Sequence, residues 1–283
     1  MGGGSCTDDL WPRILSLNNL LEAWDKVRAN RGCAGVDGVT VDQFHRHRDR
    51  ALRKLRASLA SGHYKPLPLR AFHIPKLSGD LRTLGVPAVR DRTAQQAVNQ
   101  LIGPILEHTF EPHSFGYRPR RSIFGALGRV RSLRDEGREW VLDADIDGFF
   151  DHVDHHILVE RLWQWVPEPN IRRLVWQWLR SPALVADELR ERNLGLPQGA
   201  VISPLMANLY LDGFDEAVCQ AGFELVRYAD DFVILCWSAD EALRARAFVD
   251  EELARLKLRL KDAKTRITTF TQGFSYLGVI SDN

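Results

Sequence analysis

Two groups of aspartates end apolar, strand-like runs, and their positions suit metal chemistry. Asp230 and Asp231 lie between the largely apolar runs 223–226 and 232–236, which is the pattern of a β-hairpin with acids at its tip. Asp145 ends a second strand-like run, WVLDAD. An Asp-Asp pair alone is also an ordinary turn, because Asp favours turns. Since like charges repel unless a cation binds between them, the second acidic strand favours a metal site that joins Asp145, Asp230 and Asp231.

Three carboxylates are enough to hold two Mg²⁺ ions, for which Mn²⁺ is the alternative. In such a site one ion lowers the pKa of an attacking hydroxyl, and the other neutralises the leaving oxygen of a phosphoryl transfer. The aspartates therefore predict two-metal nucleotidyl transfer.

Composition limits the class of protein. The chain has 283 residues, 45% of them hydrophobic, which is enough for one large domain or two lobes. We find no membrane-length apolar run and no secretory signal, and the four cysteines show no metal-binding spacing. These features predict a cytoplasmic protein without a membrane partner, with residues 1–11 as a flexible N-terminal tail.

The charge is distributed unevenly along the chain. Residues 46–138 hold 19 Lys and Arg against 7 Asp and Glu, a balance of +12, so the rest of the chain carries 1 − 12 = −11. A basic front half suits phosphate binding, although part of it, such as RHRDRALRKLR, also fits a solvated helical face. Later in the chain, two helical runs carry four tryptophans, Trp163, Trp165, Trp176 and Trp178, which we expect to be packing anchors rather than base-stacking platforms.

Seven motifs in a fixed order resemble the reverse transcriptases of bacterial group II introns. They are residues 19–44 (NLLEAWDKVRANRGCAGVDGVTVDQF), 74–87 (IPKLSGDLRTLGVP), 114–122 (SFGYRPRRS), 145–155 (DIDGFFDHVDH), 195–212 (GLPQGAVISPLMANLYLD), 227–235 (RYADDFVIL), and the closing pair 264–265 (KT) and 274–278 (FSYLG). Because nearly the whole chain takes part, the resemblance is specific.

The resemblance implies an α+β fold with the fingers and palm of a right-hand polymerase. The strand-helix-strand-strand-helix-strand order of the back half favours a split βαβ palm, an antiparallel sheet backed by helices. We expect fingers over residues 12–138, a palm over residues 139–283 with an inserted helical fingers segment near residues 155–195, and no thumb.

The resemblance also implies roles around the aspartates. Lys76 and Arg82 flank a hairpin that reaches the triphosphate of the incoming dNTP in the family. Phe150 takes the place of a steric gate that favours deoxynucleotides, with an inert core ring as the alternative. Gln198 is expected beside the nascent base pair, and Ile146 among the metal- and nucleotide-binding positions.

Further roles concern the nucleic acid and the leaving group. Lys264 is offered as general acid to pyrophosphate, since its ammonium can donate a proton. The template and primer contacts are expected at Tyr117, Arg118, Arg120, Arg121 and Tyr276. For the aromatic residues of the SFGYRPRRS motif, a place in the core is the alternative.

The function expected is RNA-directed DNA synthesis from dNTPs on an RNA template with a DNA or RNA primer. The sequences of the 195–212 and 227–235 motifs are most similar to those of CRISPR-associated reverse transcriptases. This resemblance implies spacer acquisition from RNA with an integrase as partner. The alternative is a group II intron reverse transcriptase/maturase fragment that acts mainly by binding intron RNA, with a thumb supplied by C-terminal sequence. A nucleotide cyclase is disfavoured, because it would not need the template-side motifs.

Overall fold

The computed structural model describes residues 9–75 and 81–281. The helices are α1 (Leu10–Ile14), α2 (Leu17–Ala29), α3 (Val41–Arg46), α4 (Arg48–Ala60), α5 (Val89–Glu107), α6 (Ile123–Asp135), α7 (Phe149–His152), α8 (His155–Trp165), α9 (Pro169–Leu179), α10 (Ser203–Gln220) and α11 (Ala239–Arg255). The strands are β1 (Leu69–Pro75), β2 (Leu81–Val86), β3 (Trp140–Asp145), β4 (Ala183–Val185), β5 (Glu188–Arg190), β6 (Glu224–Tyr228), β7 (Asp231–Cys236), β8 (Arg266–Thr269), β9 (Phe274–Tyr276) and β10 (Val279–Ser281). None of these helices is both long and apolar enough to span a membrane.

The first compact unit comprises residues 1–106 and 155–204. Its sheet has the strand order β2-β1-β4-β5, in which β1 pairs antiparallel with β2 and parallel with β4. Strands β4 and β5 form a hairpin whose two turn residues, Ala186 and Asp187, both have positive φ, as a type I′ turn requires. The segment 155–204 therefore contributes two strands, β4 and β5, to the sheet of this unit.

A buried polar chain ties α5 to α9 in the first unit. The Trp178 indole donates to the Tyr64 hydroxyl at 3.1 Å, and that hydroxyl donates to Asp91 at 2.7 Å. The Leu67 amide donates to the other Asp91 oxygen at 2.9 Å. Burial raises the pKa of the Asp91 carboxyl, and these bonds offset part of that effect.

The tryptophans of α8 and α9 do not all behave as expected. Trp178 is fully buried, as a packing anchor should be. Trp163 and Trp165, in contrast, are 37% and 44% exposed. The expectation that all four are anchors is wrong for these two, because they lie on the outward part of α8, where only one face of the helix packs on the core.

The second compact unit comprises residues 107–154 and 205–283. Its main sheet has the strand order β6-β7-β3-β8 with antiparallel pairing throughout, and β9 and β10 form a separate hairpin. The strands are connected as β3-α10-β6-β7-α11-β8, with additional helices before α10. This is the split βαβ topology, so the predicted α+β class and palm sheet are confirmed.

The lobe boundaries at residues 12–138 and 139–283 stay a prediction, since the compact units divide the chain after residues 106, 154 and 204. Of the expected tail, residues 1–8 lie outside the described residues, and α1 already begins at Leu10, whose apolar side chain is buried.

Candidate active site

Three aspartates meet at one edge of the sheet, where β3 and β6 end and β7 begins. Asp145, the last residue of β3, is paired with Asp231, the first residue of β7. Tyr228 of β6 is paired with the same Asp231, so Ala229 and Asp230 form a two-residue turn between the strands. The Ile146 amide donates to the Asp230 carbonyl at 3.3 Å and ties this turn to the end of β3. Since side chains of directly opposed strand residues lie about 5 Å apart, the carboxylates form one cluster.

Buried hydrogen bonds hold the turn that carries Asp230. Arg227 is 1% exposed and forms a bidentate ion pair with buried Asp215, with 2.7 Å between Nε and Oδ1. The Arg227 guanidinium also donates to the Ala229 carbonyl at 2.7 Å and to Asn208 at 3.3 Å. Asn208 in turn donates to the Gly116 carbonyl at 2.8 Å. The ion pair and amide thus fix a turn whose Ala229 has a φ of 61°, a strained value for a residue with a side chain.

Gly116 lets its own backbone pack directly against the backbone of the turn that carries Ala229 and Asp230. A Cβ atom at this position would lie 2.4 Å from the Ala229 nitrogen, closer than real atoms come. The glycine of the SFGYRPRRS motif is therefore required by packing against the acidic turn. Sequence reasoning missed the roles of Gly116, Asp215 and Arg227; the one signal available was an arginine inside an apolar strand, which needs a buried anionic partner.

The electrostatics of the cluster are dominated by burial and mutual repulsion. Burial, followed by the charges of Asp145, Asp143 and Asp230, raises the pKa of Asp231 to about 7. Burial also raises the pKa of Asp143, which accepts from Arg266 Nε at 3.1 Å. Because every carboxylate penalises ionisation of its neighbours, the cluster gains from any cation that binds there.

Lys264 supplies one such positive charge. Its ammonium forms an ion pair with the Asp145 carboxylate, and this hydrogen bond is the main cause that raises the pKa of Lys264. The surrounding cleft has a volume of about 320 Å³ and is lined by Asp143, Asp145, Asp231, Lys264, Arg266 and Ser275. Lys264 therefore lies in contact with the candidate metal ligands.

The donor set fits a hard divalent cation. Mg²⁺ and Mn²⁺ prefer carboxylate oxygens, and such an ion would offset the repulsion that contributes to the raised pKa of Asp231. Among the described residues, no group of three or more His, Cys, Asp or Glu side chains is arranged as a complete metal site. The ammonium of Lys264 donates to an Asp145 oxygen that a metal ion would take.

Phe150 and Tyr117 are brought together beside the end of β3. Phe150 lies in α7, five residues after Asp145, and its ring meets the Tyr117 ring edge to face at 6.4 Å. Tyr117 is 50% exposed and has a φ of 60°. The two rings thus present an aromatic edge next to the aspartate-bearing strand, where a steric gate would have to lie.

Two predicted nucleic-acid contacts have surroundings that differ from the prediction. All five N–H groups of the buried Arg118 guanidinium are used inside the protein, on Glu107 and on the carbonyls of Phe110, Glu111 and Ser114. A surface role was expected, but a tight turn with three inward carbonyls draws the guanidinium inside.

Tyr276 is likewise fully buried, and its hydroxyl donates to the Val226 carbonyl at 3.0 Å. In the short strand β9 the side chains alternate, so Ser275 is exposed while Tyr276 packs inward. Arg120 is exposed, and Arg121 is half-buried with its guanidinium over the Phe115 ring. Of the basic residues predicted to contact the template, these two keep an accessible side chain.

Four predicted positions remain, Lys76, Arg82, Gln198 and Ile146. Lys76 lies outside the described residues, as does the side chain of Arg82, whose backbone pairs with Ile74 in the β1–β2 hairpin. Gln198 belongs to the first unit, where its carbonyl accepts from the Gly85 amide at 2.8 Å. Ile146 is buried, so only its main chain can serve a ligand.

Residues 74–281 match the protein family described as reverse transcriptase (RNA-dependent DNA polymerase). Protein YkfC of Escherichia coli (strain K12) is 33% identical over 86% of this chain and 74% of its own length. The group II intron-encoded protein LtrA of Lactococcus lactis subsp. cremoris is 28% identical over 87% of this chain and 42% of its own length.

Among solved structures, a chain of a partial Cas6-RT-Cas1–Cas2 complex is similar with a TM-score of 0.54 and 28% identity, over 88% of this chain and 42% of that chain. The chain therefore spans less than half the length of LtrA and of the matched chain in that complex.

Proposed function

Because this chain belongs to the reverse transcriptase (RNA-dependent DNA polymerase) family, we propose that it extends a primer with deoxynucleotides on an RNA template. The observation that carries the proposal is the cross-strand pair of Asp145 and Asp231 with Asp230 in the adjoining turn. A fold of this family with those carboxylates apart could bind RNA but could not hold metal ions for nucleotidyl transfer.

Asp145, Asp230 and Asp231 would hold two divalent cations, Mg²⁺ or alternatively Mn²⁺, with the main chain of Ile146 as a further oxygen ligand. When bound, the cations supply activation of the primer 3′-hydroxyl and charge neutralisation at the leaving phosphate oxygen. The carboxylates themselves fix the position of the reacting groups, since the buried Arg227–Asp215 ion pair prevents the turn from moving.

Lys264 is proposed to serve the leaving group. In the reaction the primer 3′-hydroxyl loses its proton to solvent, its oxygen bonds to the α-phosphorus of the dNTP, and the bond from that phosphorus to pyrophosphate breaks. Lys264 Nζ then donates a proton to the pyrophosphate oxygen that leaves. Its contact with Asp145 supports the proposal, because it places the ammonium at the cleft beside the candidate metal ligands.

Other residues would select and hold the substrates. Phe150, whose ring packs edge to face on Tyr117, would lie under the sugar of the dNTP, where it would clash with a 2′-hydroxyl. Gln198 would contact the nascent base pair, and Lys76 with Arg82 would contact the triphosphate. Arg120 and Arg121 would contact template phosphates, whereas Arg118 and Tyr276 are used inside the protein.

The proposed biological setting is spacer acquisition from RNA beside a CRISPR integrase, in the cytoplasm. Similarity to a chain of the Cas6-RT-Cas1–Cas2 complex supports it. The second candidate, a group II intron reverse transcriptase or maturase that acts mainly on intron RNA, is supported by similarity to LtrA. An integrase gene next to this one would favour the first setting, and flanking intron RNA the second.

Primer extension on an RNA template tests the enzymatic proposal. The wild-type chain should extend the primer with dNTPs and Mg²⁺, while the double variant Asp230→Asn, Asp231→Asn should not, although its affinity for the same RNA stays within about twofold of wild type, since phosphate contacts dominate that affinity. Tight RNA binding by the wild-type chain without any extension would instead support the maturase alternative.

A further inference from the structure

A cleft of about 450 Å³ lies in the first unit between the antiparallel helices α8 and α9. It shares no residue with the aspartate cleft. Its walls carry His156, Glu160 and Trp163 from α8 and Arg172, Arg173 and Trp176 from α9. On α8 these positions recur at intervals of four and three residues, and on α9 both arginines lie three or four residues before Trp176, so they form one face of each helix. The volume falls within the range of small-molecule sites in proteins.

The two tryptophans of the cleft, Trp163 and Trp176, each have an arginine over the ring but differ in their exposure. The Arg172 guanidinium lies over the Trp163 ring with its carbon 5.4 Å from the ring centroid. Trp176 is half-buried, with Arg180 over its ring at 5.5 Å and the His156 ring in an edge contact at 4.9 Å. Trp163 is 37% exposed even with Arg172 over its ring, so it is the more accessible of the two rings for a ligand.

Two exposed charged side chains of the cleft, Glu160 and Arg172, form no ion pair with each other in the part of the protein that the structure describes. Neither the Glu160 carboxylate nor the Arg172 guanidinium forms a hydrogen bond or an ion pair there. The five N–H donors of Arg172 and the two carboxylate oxygens of Glu160 can therefore exchange water for a ligand. Arg173 differs, because it donates to the Gly62 carbonyl at 3.1 Å and to Asn170 at 3.3 Å.

The charged side chains of the cleft determine which aromatic ligands it favours. A cationic ligand is disfavoured, because Arg172, Arg173 and Arg180 surround the tryptophans. A flat ring with an attached anion is favoured, since it can stack on Trp163 and pair with Arg172. The single carboxylate narrows the choice, because its two oxygens match the adjacent N1–H and N2–H donors of guanine, whereas adenine offers one donor beside an acceptor.

We propose that this cleft binds a guanine nucleotide, with the base on Trp163, its Watson–Crick edge on Glu160 and its phosphate on Arg172. The same chemistry is available in free GMP and in a guanosine of single-stranded RNA. The proposal is independent of the polymerase reaction and adds a second place at which the chain can hold nucleic acid or nucleotide.

Calorimetric titration of the whole chain in EDTA tests the proposal, with GMP, AMP and guanosine as ligands. GMP should bind at least about fivefold more tightly than AMP or guanosine, because each loses a charged hydrogen bond. Trp163→Ala should weaken GMP binding at least about fivefold, the lower end of what base stacking contributes. Glu160→Gln should abolish the preference for GMP over AMP, and Arg172→Gln should reduce GMP to the affinity of guanosine.

Trp165→Ala is the matched control, since Trp165 is an exposed tryptophan of the same helix that does not line the cleft. It should bind GMP like wild type, and thermal melting should show that all variants fold.

Tighter binding of the RNA tetramer GGAA than of GMP would identify single-stranded RNA as the source, and equal binding would identify free nucleotide. Absence of GMP binding at millimolar concentration, or equal binding by wild type and Trp163→Ala, would overturn the proposal. Because no primer extension is measured, a failed polymerase assay would not affect this result.

Discussion

Asp145 and Asp231 lie directly opposite each other on two antiparallel strands, with a third carboxylate in the next turn. Like charges in this position destabilise a sheet. The protein relieves part of the repulsion by the ion pair between Lys264 and Asp145, and part by a pKa of about 7 at Asp231. A divalent cation would remove the remaining repulsion between the carboxylates. The stability of the folded protein therefore depends both on pH and on metal binding at this cluster.

The first prediction concerns Asp231 and the stability of the metal-free protein. Because its pKa is raised to about 7 in the folded state from 3.8, the folded protein binds the proton more tightly, and stability falls as pH rises from about 4 to about 7. Asp231→Asn should therefore stabilise the chain in EDTA at pH 8, by up to about 4 kcal/mol at about 1.4 kcal/mol per pKa unit. At pH 5 the gain should be smaller.

Urea unfolding at the two pH values measures this effect. Asp262→Asn is the control, since that carboxylate is 90% exposed and its replacement should change little at either pH. An unfolding free energy of Asp231→Asn that equals wild type at pH 8 would show that the carboxylates do not repel each other as described.

The second prediction separates the two proposed roles of Lys264. Lys264→Arg keeps a cation beside Asp145 but cannot donate a proton at neutral pH, so its melting temperature should match wild type while single-turnover extension falls roughly 100-fold. Lys264→Met should lose both the rate and the neutralisation of Asp145. Extension by Lys264→Arg at the wild-type rate would remove the general-acid role and leave only the electrostatic one.

The third prediction concerns the ion pair beneath the acidic turn. Arg227→Met leaves the fully buried Asp215 carboxylate without its partner and should destabilise the protein by roughly 3–5 kcal/mol. Adding Asp215→Leu should recover a large part of that loss, because no buried charge remains. Unfolding in urea gives both values. If the double variant were no more stable than Arg227→Met, the loss would come from packing and not from the unpaired charge.

The fourth prediction concerns the aromatic edge formed by Phe150 and Tyr117. Phe150→Ala opens the space under the sugar and should raise the ratio of kcat/KM for ribonucleotides to that for deoxynucleotides by on the order of 10-fold or more. Tyr117→Phe keeps the edge-to-face contact and should leave the ratio unchanged. A ratio that does not move in Phe150→Ala would make Phe150 an ordinary packing residue.

The local features of this site could be predicted from sequence, and the long-range ones could not. The acidic hairpin, the strand that ends at Asp145 and the split βαβ order follow from apolar alternation and turn residues, which act over a few positions. The internal use of Arg118 and Tyr276 depends on carbonyls and strand faces that only the folded chain defines. The Arg227–Asp215 pair and the exposure of Trp163 likewise depend on which helix faces pack, and composition does not specify this.

The most direct measurement is a Mn²⁺ titration followed by the electron paramagnetic resonance signal of the free ion, with wild type, Asp145→Asn, Asp231→Asn and the exposed control Asp262→Asn. Wild type and Asp262→Asn should bind Mn²⁺ equally. Asp145→Asn and Asp231→Asn should each bind at least about 10-fold more weakly, because one of three carboxylate ligands is lost. Equal Mn²⁺ affinity in all four proteins would contradict the assignment of the paired aspartates as the metal site.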